Sequence, residues 1–392
     1  MKISNRIASL SPSMTLALSA KAKAMKGVIS FGVGEPDFDT PEFIKDVVIQ
    51  DLKSGKTKYT ASKGAPELIS SVVEYLATRY QQEYTPKQIL VSVGGKHSLY
   101  NIFQTIVDQG DEVIIPAPFW LSYPEQVVAA EGKPVTVTCG PEAGFKITPA
   151  QLENAITPKT VAFILNSPSN PTGAVYTAEE IAALAEVLRK HPHVVIISDD
   201  LYEQLVYAPA KFESILTIAP DLKDRTIIVN GWSKAYAMTG WRLGWLAGPV
   251  DVVDAMDNLQ SHSTSNVTSF IQGAAAVAIK SDLSFLEDWK KQFDSRRHLL
   301  VDGLNAIPGI TCDPAPTGAF YAFPDVSALY GKEFKGRVIN GSLDFADFAL
   351  EKAQVSVIPG IAFGEDRCVR LSYATSPEKI TEGLARLGKL FA

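Results

Sequence analysis

The chain has 392 residues, 46% of them apolar and 20% charged, with a net charge of −6, which is the balance of a globular protein and not of a disordered or fibrous one. That length exceeds one ordinary core and points to two domains, while the acid excess argues against a broad nucleic-acid-binding face. Three widely spaced cysteines and the weak H-P-H of His191 and His193 spell neither a disulfide framework nor a metal site, and no apolar run reaches the roughly 18 residues of a membrane span.

The first 34 residues carry five basic side chains and no acid. Such a bias is that of a transit peptide, but motifs begin soon afterwards, so a basic arm of the mature protein and a cytoplasmic location are expected. Short β-rich runs then alternate with helical patterns. "ILVSV" (89–93) precedes the helix-like "HSLYNIFQTIVDQ", and "DEVIIP" (111–116), "PVTVT" (134–138) and "TVAFIL" (160–165) follow. A helix near 177–190 leads to "HVVIIS" (193–198) and "RTIIVN" (225–230). These strands are almost continuously apolar, as when helices cover both faces of a mostly parallel sheet. The pattern predicts an α/β domain.

Beyond about residue 280 the pattern changes to that of a smaller α+β domain. A long helix (283–306) leads through "GITCDPAPTGAFYAFPDV" to a helix (343–353), a strand "VSVIPG" and a closing helix (377–390). With no linker between the halves, a cleft between packed domains is expected.

Ligands of α/β sheets gather beyond the carboxyl ends of the strands. There the sequence has Gly94-Gly95-Lys96, then "NSPSNPTG" (166–173), then Asp199 and Tyr202, then Ser233 and Lys234. Each alone is ordinary turn, cap or surface chemistry. Together they describe one ligand. A glycine turn at a helix start, Ser233 and Arg242 suit a phosphate. Asp199 suits a protonated ring nitrogen, Asn170 and Tyr202 a phenolic oxygen, Trp120 an aromatic ring, and Lys234 an aldehyde. These are the groups of pyridoxal 5′-phosphate.

Eight stretches in order resemble the class I aminotransferases of fold type I, and among them the bacterial aspartate aminotransferases of subgroup Ib. They are "FGVGEPDFDTP" (31–41), "KYTASKGAPELI" (58–69), "VSVGGKHSLYN" (91–101), "PAPFWLSYPE" (116–125), "NSPSNPTGAVY" (166–176), "SDDLYEQLVY" (198–207), "NGWSKAYAMTGWRLGW" (230–245) and "VRLSYATS" (369–376). The resemblance implies a large cofactor-binding domain (46–280) with a seven-stranded-type sheet. It also implies a small C-terminal domain (281–392), and an N-terminal arm (1–45) that completes the small domain in part.

The resemblance further implies that Lys234 forms a Schiff base with the cofactor and then, as a neutral amine, moves the substrate's α-proton. Asp199 holds the ring nitrogen protonated, while Asn170 and Tyr202 contact the phenolic oxygen. Gly95, Lys96 through its backbone, Ser233 and Arg242 hold the phosphate, joined by Tyr59 from the other subunit of a homodimer. Trp120 stacks on the ring. Arg370 binds the substrate α-carboxylate with Asn170 and the Gly34 backbone, and Lys96 reads the distal carboxylate of aspartate or glutamate.

The implied activity is ping-pong amino transfer from such an amino acid to a 2-oxo acid such as 2-oxoglutarate. Aromatic amino acids, prephenate, or C–S lyase chemistry remain alternatives. Ser11 stands where prephenate-acting members carry a lysine or arginine, which argues against prephenate.

Overall fold

The computed structural model describes residues 2–392; Met1, the first residue of the expected N-terminal arm, lies outside them. A seven-stranded sheet runs, edge to edge, Ile89–Ser92, Gly244–Ala247, Thr226–Gly231, Val195–Asp199, Thr160–Asn166, Glu112–Ala117 and Lys133–Thr138. Gly244–Ala247 pairs antiparallel with both neighbours and every other pairing is parallel.

The apolar runs are explained by what lies on each face. Successive side chains of a strand point to opposite sides, so Ile114 joins one core layer while Val113 and Ile115 join the other. Leu68, Val72 and Leu76 of helix Pro66–Arg79, with Ile181, Leu184 and Leu188 of helix Ala178–Lys190, cover the first face. Helices Gly95–Ile106 and Val250–Ser261 cover the second through Leu99, Ile102, Phe103, Val253 and Met256. Local signals set the helix ends. Thr177 accepts from the Glu180 amide and Glu180 accepts from the Thr177 amide, a reciprocal cap that fixes where Ala178–Lys190 begins.

The C-terminal third builds a second, antiparallel sheet with Val369–Ser372 between Ile358–Pro359 and Tyr321–Ala322. The helices Ser284–Asn305 and Pro377–Phe391 pack together beside it. The stretch expected as one strand, "VSVIPG", is two. Val355–Ser356 pairs parallel with Ile29–Ser30, whereas Ile358–Pro359 pairs with Val369 and Arg370. The partners lie in different sheets, so the chain breaks pairing between them. No helix among the described residues is long and apolar enough to cross a membrane.

Candidate active site

Asn166 and Asp199 are the last residues of their strands, and Ser233 and Lys234 lie just beyond Thr226–Gly231. All of these ends point the same way in a parallel sheet, so side chains distant in sequence meet there. Asn166, Asp199 and Lys234 line a cavity of about 270 Å³ together with Gly95, Trp120, Asn170, Tyr202 and Arg370. It shares Lys96, Trp120 and Lys234 with a wider cleft of about 790 Å³ that takes in Ser233 and Arg242. Another cleft, of about 780 Å³ beside Pro41 and Phe285, holds none of the sequence-predicted residues.

At one end of the cavity the backbone comes unusually close to a cation. Gly94 caps helix Gly95–Ile106 at φ +85°, and a Cβ there would stand 2.8 Å from Arg242 Nη2. A Cβ on Gly244 would stand 2.4 Å from the Gly95 nitrogen, so that strand also needs glycine to lie against the turn. Arg242 is itself left-handed, at φ 55°, and its Nη1 donates to the Thr239 carbonyl at 2.9 Å. Ser233 is buried nearby. Helix-start amides, a hydroxyl and a guanidinium here form an anion-binding corner.

Lys96 follows in the first turn of the same helix. Its Nζ lies 5.0 Å from the centroid of the Trp120 ring, and the ring stands edge-on to Tyr123 with centroids 5.3 Å apart. Burial of part of the side chain and then the Arg242 charge lower the Lys96 pKa.

Lys234 occupies the middle. Its Nζ donates to the Gly34 carbonyl at 2.6 Å and lies 5.5 Å from the Tyr202 ring centroid. Burial, with Arg370 and Arg242 adding to it against Glu35 and Asp199, lowers its pKa to about 8. An ordinary lysine titrates well above this value, so this one gives up its proton at lower pH than usual. Asp199 is buried, and burial raises its pKa, opposed by the bond from Tyr123, the Leu201 amide and the Lys234 charge. Tyr202 hydrogen-bonds the Tyr321 hydroxyl at 2.8 Å, and burial pushes its phenol upward.

Arg370, 3% exposed, closes the far side. Nη1 donates to Asn170 Oδ1 at 2.9 Å and Nη2 to the Gly32 carbonyl at 3.0 Å, while Nε has no partner. No carboxylate is paired with it among the described residues. Burial lowers its pKa.

Eleven of the twelve sequence-predicted residues thus surround one space: Gly34, Gly95, Lys96, Trp120, Asn170, Asp199, Tyr202, Ser233, Lys234, Arg242 and Arg370. Tyr59 stands apart, 92% exposed on a segment where residues 52–59 are all exposed. Sequence reasoning missed Tyr123 and Tyr321, which bond Asp199 and Tyr202. Both sit among aromatic and apolar neighbours, in "PFWLSY" and "GAFYAF", and read as core; nothing local marks their hydroxyls. The site therefore combines one buried carboxyl group, one amine with a pKa lowered to about 8 and three further basic side chains around a shared cavity.

Residues 26–387 match the family model for aminotransferase class I and II. The chain is 46% identical to an aspartate/prephenate aminotransferase of Nitrosomonas europaea, with 100% of each chain covered. It is 47% identical to an aspartate aminotransferase of Geobacillus stearothermophilus, covering 99% of this chain and 98% of that one. Among solved structures, the aspartate aminotransferase from Rhizobium meliloti matches with a TM-score of 0.97 at 44% identity, over 100% of this chain and 98% of that chain. The aspartate aminotransferase from Thermus thermophilus with maleate matches with a TM-score of 0.93 at 38% identity over all of both chains.

Proposed function

We propose that this chain, which belongs to the aminotransferases of class I and II, moves the amino group of L-aspartate or L-glutamate to a 2-oxo acid such as 2-oxoglutarate, with pyridoxal 5′-phosphate as cofactor. The observation that carries this reading is Arg370, a buried guanidinium with an unpaired Nε and no carboxylate partner among the described residues. A buried cation is unfavourable until an anion joins it. A ligand carboxylate supplies one, and Lys96, lining the same cavity, suits a second. The Thermus relative was solved with maleate, which is itself a dicarboxylate.

The residues fit the cofactor. The Gly94–Gly95 turn leaves no room for a Cβ beside Arg242, a corner that with Ser233 would hold the phosphate. Asp199 would face the ring nitrogen, Tyr202 and Asn170 the phenolic oxygen, and Trp120 the ring. When bound, the cofactor supplies an aldehyde for the amino group and a protonated ring that draws electron density from the α-carbon. Lys234 Nζ, neutral above a pKa of about 8, takes the α-proton and returns it. Arg370 and Asn170 fix the α-carboxylate, which turns the α-hydrogen toward Lys234. The Gly34 backbone aids them at the α-carboxylate, and Lys96 reads the distal carboxylate.

Three finer points belong to the same reading. Tyr59 acts in a partner's site within a homodimer; its 92% exposure, unusual for an aromatic side chain, supports this. The location is cytoplasmic, supported by three buried thiols, Cys139, Cys312 and Cys368, that remain free. Residues 46–280 form the large domain and 281–392, with part of 1–45, the small one, in keeping with the separate sheets. Prephenate stands second. A relative named for it is 46% identical, but Ser11 brings no charge to the site and is fixed through its backbone, donating to Glu125 Oε2 at 2.9 Å.

The test is direct. Purified protein supplied with pyridoxal 5′-phosphate should convert aspartate and 2-oxoglutarate to oxaloacetate and glutamate. Absence of transfer from every dicarboxylic donor, with transfer from aromatic donors intact, would replace the substrate assignment.

A further inference from the structure

Tyr321 lies between the two halves of the site. Its strand, Tyr321–Ala322, pairs antiparallel with Val369–Ser372 so that Tyr321 stands opposite Ser372. Residues two apart on a strand share a face, and diagonal neighbours on that face are within reach of long side chains. Arg370 is two residues before Ser372, and its Cζ accordingly lies 4.5 Å from the Tyr321 ring centroid. Phe363 flanks the guanidinium at 5.0 Å. At the other end of the same side chain, the hydroxyl lies 2.8 Å from that of Tyr202, and a Cβ on Gly34 would come within 3.2 Å of it. One buried side chain therefore touches the cofactor-side phenol, the substrate-side cation and the loop that accepts from Lys234.

Given the amino-transfer reading above, we infer that Tyr321 is a positioning residue with two separable parts: its hydroxyl donates to Tyr202, and its ring holds Arg370 in place for the substrate carboxylate. The direction of the hydrogen bond follows from counting hydrogens. A phenol has one hydrogen and two lone pairs. If Tyr202 spends its hydrogen on the cofactor's phenolic oxygen, the bond to Tyr321 requires Tyr321 to donate. Burial keeps both phenols protonated, so both hydrogens are present. Donors in series polarise one another, so the outer hydroxyl strengthens the inner one. The ring acts differently. It gives the guanidinium an electron-rich face before substrate arrives, without neutralising it as a carboxylate would.

Two variants of the cofactor-loaded protein separate these parts. Tyr321→Phe keeps the ring and removes the hydroxyl. The bound cofactor then loses stabilisation of its phenolate, and its absorbance should titrate at higher pH, with a proton affinity roughly 2- to 10-fold greater. Maleate binding, measured by calorimetry, should be unaltered. Tyr321→Leu should show the same displacement and in addition weaken maleate roughly 3- to 30-fold. An unmoved titration in Tyr321→Phe overturns the hydroxyl's role, and native maleate affinity in Tyr321→Leu overturns the ring's. Equal weakening of maleate in both variants with no spectral displacement reduces Tyr321 to packing and overturns both. If Tyr321→Leu does not fold, Tyr321→Met takes its place in the maleate measurement with the same expected weakening, and Tyr321→Phe still decides the hydroxyl. A native chain that takes up no pyridoxal 5′-phosphate sinks the amino-transfer reading itself, whereas native transfer with unaltered variants sinks only the assignment of Tyr321.

Discussion

Tyr123 donates its phenolic hydrogen to Asp199 Oδ2 at 2.5 Å, joining the helix after one strand to the end of another. The Leu201 amide meets Oδ1 at 3.3 Å, so both carboxylate oxygens are held. These donors oppose the upward push of burial on the carboxyl, which would face a cationic ring. Asp199→Asn keeps the shape and removes the charge. Its kcat/KM for aspartate should fall by roughly 10²- to 10³-fold with the melting temperature nearly unchanged. Steady-state kinetics check this, and a fall of only a few-fold would remove Asp199 from the machinery.

Lys234 makes a prediction about stability that needs no cofactor. Between about pH 8 and its ordinary value of 10.5, the unfolded chain holds a proton that the folded chain does not. Stability of the cofactor-free protein attributable to this group therefore rises with pH across that window. Below pH 8 both states hold the proton, and the half-buried charge costs about 1–3 kcal/mol after discounting for its remaining exposure. Lys234→Met should melt higher than the native chain at pH 7, with the difference shrinking toward pH 10. Equal melting at pH 7 would contradict the lowered pKa.

Lys96→Gln leaves the backbone at the helix start intact, so affinity for the cofactor should hold. Efficiency with aspartate should fall by about 2–4 kcal/mol, roughly 30- to 1,000-fold, as expected for losing a desolvated charge pair. Efficiency with alanine should change much less. A parallel decline for both donors would show that the side chain does not read the distal carboxylate.

Gly94→Ala sets two costs against each other. At φ +85° the new side chain is strained by about 1 kcal/mol, and its Cβ meets Arg242 Nη2. That atom ends a flexible side chain, so the fold survives while Arg242 moves away from the turn. Cofactor Kd should rise at least about 10-fold, the cost of one displaced charge-assisted hydrogen bond. Equilibrium dialysis measures it, and native affinity would place the phosphate elsewhere.

Tyr59 tests the shared site. Chains carrying Tyr59→Phe, mixed with chains carrying Lys234→Ala, should regain more activity than either parent. If Tyr59 acts across the interface, one site of each mixed dimer carries both defects and the other carries neither. Verified mixed dimers with no regained activity would mean that Tyr59 acts within its own chain or not at all.

How much of this was legible in the sequence depends on whether the cause was local. Strands such as "TVAFIL" and "HVVIIS" could be read because covering both sheet faces forces an unbroken apolar run. The polar residues after them could be read because a parallel sheet gathers its carboxyl ends. Lys234, Asp199 and Arg242 therefore stood out before any contact was known. Gly244–Ala247 did not. It is only four residues long, sits inside a motif rich in glycine and tryptophan, and takes its direction from Ile89–Ser92, more than 150 positions earlier.

"VSVIPG" read as one strand because each half is apolar; only the positions of Ser30 and Arg370 divide it. Tyr123 and Tyr321 are the sharpest case. A tyrosine in an apolar stretch has the pattern of a core residue, and its hydroxyl acquires a purpose only when the fold brings Asp199 or Tyr202 within 3 Å. Residue type and period are properties of the chain, so the sequence alone determined the α/β class and the chemistry gathered at the strand ends. Hydrogen-bond partners, burial and the lowered pKa of Lys234 belong to pairs of distant segments, and only the packed structure decided them.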